Sequence, residues 1–229
     1  AAVEMTLQYL KAHDGKGKFL WNAKPRFGKT LTTYELIRRM GCQNVLIVTN
    51  RPSIANSWNE DFQKFIAWQA NYRFVSDSDV LKGHAGVMTR DEYCNVVTQV
   101  EEDKIPGQIA FESLQGLKGS AYFGGHYDKL KWISELDWDI LVIDEAHEGV
   151  DTDKTDRAFD NIKRKFTLYL SGTPFKALAN NQFSDEQIYN WSYTDEQETR
   201  EDWSSDDLNP YEPLPRLNLF TYQMSSIIR

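Results

Sequence analysis

The sequence predicts a three-layer α/β fold, a mostly parallel sheet sandwiched between helices. Short apolar runs alternate with segments of helical periodicity, and each run ends in polar or small residues. The chain has 229 residues, 41% hydrophobic and 26% charged, enough for one full core plus an extra piece. This composition excludes collagen-like, low-complexity and wholly disordered classes.

Lys18 to Asn22 reads as the first strand, and Lys29 to Met40 as the helix after it, stopped at Gly41. Val45 to Asn50 is the next strand, with Ile54 to Trp68 helical behind it. Tyr72 to Val75, Gln108 to Phe111, Asp139 to Ile143 and Phe166 to Leu170 complete the strands, and a helix around Asp153 to Lys163 joins the last two. Two regions break the rhythm: Gly83 to Pro106, with a candidate helix at Asp91 to Glu101, and Gly116 to Gly125, which reads as a mobile glycine-rich loop. Residues 1–180 are expected to form one lobe, 181–216 an acidic, proline-containing connector, and 217–229 the start of a further lobe, with a strand at Leu217 to Met224.

The net charge is −8, unevenly placed. Asp185 to Glu212 holds ten acids against Arg200, a local charge of −9, so the remainder stands at +1 and neither repels nor advertises a polyanionic partner. Cys42 and Cys94 form no metal or disulfide pattern and read as free thiols. No apolar run reaches membrane-span length and no signal peptide is evident, which predicts a soluble, cytoplasmic protein without membrane partners.

Ala23-Lys24-Pro25-Arg26-Phe27-Gly28-Lys29-Thr30 follows a strand and opens a helix, the setting of a phosphate-binding loop. Backbone N–H groups at such a turn face a phosphate, Lys29 reaches the β and γ oxygens of ATP, and the Thr30 hydroxyl suits Mg²⁺. Ala23 replaces the first glycine of the usual pattern, which is tolerated only if that position needs no positive φ. Asp139 to Ile143 runs into Asp144-Glu145-Ala146-His147 at a strand's carboxyl end. There Asp144 would hold Mg²⁺, and Glu145 would orient and deprotonate the attacking water.

These two boxes, followed by Ser171-Gly172-Thr173 after a strand, resemble the first RecA-like lobe of superfamily 2 DEAH-box helicases and translocases, a P-loop NTPase fold. Val45 to Arg51 followed by Trp58 is similar to the family's motif Ia, and Ile109 to Gln115 to its segment that grips the nucleic-acid backbone. Pro25 to Thr30 and Leu170 to Phe175 most resemble the motor (Res) subunits of type I and type III restriction enzymes. The resemblance implies that Ser171, Gly172, Thr173 and His147 couple the nucleotide site to the nucleic-acid groove, and that Arg51, Ser113 and Gln115 contact strand phosphates. His147 also fits a plain helix-start histidine, and Trp21, Trp58, Trp68 and Trp132 fit core packing better than base stacking.

In such families a second RecA-like lobe supplies the arginine fingers, so the isolated lobe is expected to be nearly inactive. The expected partners are double-stranded DNA, that second lobe, and methyltransferase, specificity and nuclease domains or subunits. Two alternatives stay open: an RNA helicase or remodeller, separable by RNA against DNA stimulation of ATPase activity, and a non-hydrolysing nucleic-acid-binding module with a vestigial site. Intact Lys29, Thr30, Asp144 and Glu145 argue against the last.

Overall fold

The computed structural model describes residues 1–144, 158–172, 182–204 and 207–214. Its elements in chain order are α1 (Ala2–Ala12), β1 (Gly17–Ala23), α2 (Lys29–Met40), β2 (Asn44–Thr49), α3 (Ala55–Phe65), β3 (Tyr72–Val75), β4 (Val87–Met88), α4 (Arg90–Gln99), β5 (Gly107–Ser113), α5 (Leu114–Gly119), α6 (Lys131–Glu135), β6 (Trp138–Asp144), β7 (Arg164–Ser171), β8 (Ile188–Trp191) and α7 (Tyr193–Glu201). The eight strands form one sheet in the order β4-β3-β5-β2-β6-β7-β1-β8, and every pairing is parallel.

Central strands of a parallel sheet are covered on both faces, so they read as unbroken apolar runs, and alternate residues serve opposite layers. Val45 and Ile47 of β2, Ile109 and Phe111 of β5, and Ile140 and Val142 of β6 pack with Tyr34, Ile37, Trp58 and Phe62 of α2 and α3. Their neighbours Leu46, Val48, Ala110, Leu141 and Ile143 face the other way, onto Leu114, Leu117, Ile133 and Phe159. On α3 the buried residues Ala55, Trp58, Asn59 and Phe62 recur at helical spacing, so one face of this helix is core.

The expected three-layer α/β architecture is the one observed, with differences at the edges. The six strands predicted between Lys18 and Leu170 and the helix before Gly41 are present, and Gly41 takes φ 66° to end α2 as expected. Helix α1 and the short strand β4 lie outside the sequence expectation. The stretch read as a connector is partly folded: Ile188–Trp191 pairs with β1 as the sheet's edge, and Ser192 caps α7 through its side chain and that of Asp195. The chain accordingly divides into compact units of residues 1–191 and 192–229. The strand expected at Leu217 to Met224, and residues 153–157 of the helix expected around Asp153 to Lys163, lie outside the described residues, while residues 158–160 are helical. Trp21 and Trp58 are core as expected, whereas Trp68 is 74% exposed.

The glycine-rich stretch is a hydrogen-bonded structure, contrary to its reading as a mobile loop. Ser120 Oγ donates to the Lys129 carbonyl at 2.5 Å, Ala121 N–H donates to Tyr127 O, and the N–H groups of His126 and Tyr127 donate to Gly119 O. A Cβ on Gly125 would overlap the backbone of Gly119 and Lys118. Gly125→Ala should therefore lower stability by about 1–3 kcal/mol, the usual cost of forced overpacking, in urea denaturation. Gly15→Ala, where φ is 73° but a Cβ meets nothing, should cost about 1 kcal/mol.

Candidate functional site

Parallel strands all deliver their carboxyl ends to one edge of the sheet, and that edge collects the candidate residues. Register places Thr49 beside both Ser113 and Asp144, and Asn22 beside Ser171. Because β7 lies between β1 and β6, the ends of those two strands are two strand spacings apart, about 10 Å.

Ala23 is the last residue of β1, fully buried and extended rather than left-handed, so the condition for replacing glycine there is met. The chain then turns sharply: Lys24 N–H donates to Trp191 O, Phe27 N–H donates to Lys24 O, and both Arg26 and Gly28 take positive φ, 72° and 85°. Left-handed residues in such a turn point successive N–H groups into one concavity, a nest suited to anions. Positive φ at the non-glycine Arg26 is backbone strain of the kind stored at functional loops. Lys29 opens α2, and its Nζ donates to the Ala23 carbonyl at 2.9 Å, spanning the loop from end to start. Phe27 packs on Tyr189 and Trp191, ring centroids 5.8 Å away, and so ties the loop to β8.

Ser171, at the end of β7, is buried, and a Cβ on Gly172 would sit 3.6 Å from Pro25 Cδ and 3.7 Å from Ala23 O. The segment predicted to couple the two sites thus abuts the phosphate-binding loop. Asp144 ends β6 at 7% exposure and accepts a hydrogen bond on Oδ2 from Trp58 Nε1–H at 2.9 Å. Glu145, His147 and Thr173 lie outside the described residues.

Arg51 is exposed just past β2, its N–H donating to Thr49 Oγ1. Ser113 caps α5, its Oγ accepting from Gly116 N–H, and Gln115 is exposed two residues on. Both line a cleft of about 450 Å³ with Asp77, Asp79, Glu112, Tyr127 and Lys129. The three predicted strand-contact residues therefore follow neighbouring strands of the same edge.

A scan against family models matches residues 1–176 to a family described as the type III restriction enzyme, res subunit. The chain belongs to this family. A Mycoplasma pneumoniae relative, named for the C-terminus of a type II restriction enzyme and methyltransferase, is 28% identical over 272 residues; the match takes in 99% of this chain and 35% of that one. The chain thus spans about a third of that relative's length. Among solved structures, a nuclease-deletion mutant of the Type ISP restriction-modification enzyme LlaGI with a DNA substrate mimic has a TM-score of 0.61 at 15% identity, over 86% of this chain and 17% of that one. The Sulfolobus solfataricus SWI2/SNF2 ATPase core in complex with dsDNA has a TM-score of 0.51 at 18% identity, over 79% and 32%. At those identities the likeness shows the fold alone, an α/β core shared with both structures.

Sequence reasoning missed several residues that shape the site of this res-subunit domain. β8 supplies the ring platform under Phe27, and the β-forming, aromatic run Ile188-Tyr189-Asn190-Trp191 was the available signal. Trp58 is more than core, since its indole holds Asp144. Glu112, an acid inside an apolar strand, is 2% exposed at the cleft floor. Burial pushes its carboxyl up to about 8, with the N–H of Asp77 pulling the other way through a 3.2 Å bond to Oε1.

Unfolded, this carboxyl ionises near 4.5; folded, near 8. The neutral form's contribution to stability is full below the lower value, declines as pH rises between the two, and is gone above the upper one. The decline is at most roughly 1.4 kcal/mol per pH unit. Glu112→Gln, which mimics the neutral acid, should flatten the fall in stability between pH 5 and pH 8 and be the more stable chain at pH 8, measured by urea denaturation. Parallel pH profiles would contradict this.

Proposed function

We propose that the chain is the ATP-binding motor domain of a restriction-modification enzyme that hydrolyses ATP to translocate on double-stranded DNA. The observation that carries this reading is the loop between β1 and α2, with Lys29 spanning a strained left-handed turn and Gly172 packed against its floor. Family membership supports ATP use, and DNA is present in the two structural neighbours named above.

In this reading the loop's backbone N–H groups at the start of α2, those of Gly28, Lys29 and Thr30, and the Lys29 ammonium bind and orient the phosphates, releasing Lys29 from Ala23 O. The Thr30 hydroxyl and the Asp144 carboxylate are hard oxygen donors at one sheet edge and fit Mg²⁺, which neutralises charge on the transferred phosphoryl group when bound. Glu145 orients and deprotonates water. Ser171, Thr173 and His147 relay the nucleotide state to the groove, where Arg51, Ser113 and Gln115 hold phosphates of a DNA strand. A second RecA-like lobe completes the site with arginine, and methyltransferase and nuclease activities belong to other domains or subunits. The protein works in the cytoplasm, where ATP and DNA are both at hand.

In the full-length protein, Lys29→Ala should abolish ATP binding or cut turnover at least 100-fold. Glu145→Gln should keep ATP affinity within about threefold while lowering kcat by about 10²–10⁴, the usual share of a general base. Double-stranded DNA should stimulate the wild-type ATPase and RNA should not. Near-normal turnover in Glu145→Gln removes that residue from its role, and stimulation by RNA alone overturns the DNA assignment.

A further inference from the structure

A buried indole N–H needs an acceptor, and most find a backbone carbonyl. Trp138 does so with Ile133 O. Trp58 differs: its Nε1–H donates at 2.9 Å to Oδ2 of Asp144, the carboxylate proposed to hold Mg²⁺, 86 residues away. Both groups are almost fully buried, Trp58 at 1% and Asp144 at 7% exposure. A charge-assisted bond in such surroundings is among the stronger single hydrogen bonds. It also fixes the rotation of the carboxylate plane.

The indole is itself held. Tyr34 Oη donates to the Trp58 carbonyl at 2.7 Å, and the two rings meet edge to face at 5.5 Å and 88°. Tyr34 lies on α2, the helix that Lys29 opens. One buried chain of contacts therefore runs from the phosphate-binding helix through Trp58 of α3 to the end of β6.

Resting on the reading above, we infer that Trp58 is a positioning residue for the ATPase reaction, setting the orientation in which Asp144 receives the metal. Phenylalanine would fill most of the same core volume but remove the indole's bond to the carboxylate, so a role in packing alone does not require the indole. Arg51 lies seven residues before Trp58, and the segment that carries it leads into α3. A shift of α3 on nucleic-acid engagement would reach the metal ligand by this bond.

The test compares ATP binding by the 229-residue chain with Mg²⁺ and in EDTA. In Trp58→Phe, affinity for Mg²⁺-ATP should fall about tenfold while affinity for metal-free ATP stays within twofold. Trp138→Phe, which removes an equally buried indole bond at the far end of β6, should change neither by more than about threefold. A second readout needs no substitution: the Trp58 indole ¹H–¹⁵N resonance, assigned through contacts to the Tyr34 ring, should move when Mg²⁺ is added to the ATP-bound wild type. Equal losses with and without Mg²⁺, an unchanged Mg²⁺-ATP affinity, or a resonance that does not move each overturn the inference. Loss of Lys29-dependent binding in the wild type instead overturns the ATP-site reading, and this inference falls with it.

Discussion

A parallel sheet has one carboxyl edge, and everything proposed for this domain depends on that constraint. Each central strand is buried on both faces and has little freedom to carry polar chemistry along its length. Polar residues are pushed to the strand ends, and with every strand parallel those ends collect on one side: Ala23 and the loop after β1, Arg51 after β2, Ser113 of β5, Asp144 of β6 and Ser171 of β7. Residues far apart in sequence meet because the register brings them there, and single-residue slips would turn each apolar run to the wrong layer.

The same edge holds buried and half-buried polar groups that must be satisfied. The Asp144 carboxylate is held by an indole, the Lys29 ammonium by a carbonyl, and the Glu112 carboxyl by the N–H of Asp77, with burial favouring its neutral form. Leaving such a group without its partner costs about 1–3 kcal/mol, more for a charged one. The polar set is consequently restricted to a few interlocked geometries. In the reading proposed above, a domain that binds a nucleotide at one end of this edge and a strand of nucleic acid along the rest gains from such fixed geometry.

Much of this was legible in the sequence. Apolar runs buried on both faces have an unmistakable pattern, so β1, β2, β5, β6 and β7 and the fold class followed from it, and the loop from Ala23 to Thr30 announced itself by its place between strand and helix. What escaped notice has physical reasons. β4 is two residues long, and β8 sits in an acidic stretch whose charge masked a short β-forming run. The glycines between Gly116 and Gly125 suggested freedom, whereas Gly125 is required by close backbone approach. Trp58 scores as core in any sequence reading, because burial and a specific hydrogen bond select the same residue. No periodicity could reveal that its acceptor lies on β6.

The most direct test of the central claim is a crystal structure of the chain with Mg²⁺ and a non-hydrolysable ATP analogue. The account predicts the triphosphate in the loop between β1 and α2, Lys29 Nζ moved from the Ala23 carbonyl onto the β and γ oxygens, and the metal within reach of Thr30 and Asp144. A nucleotide bound elsewhere, or a triphosphate in the loop with Lys29 still on Ala23 O, would contradict it.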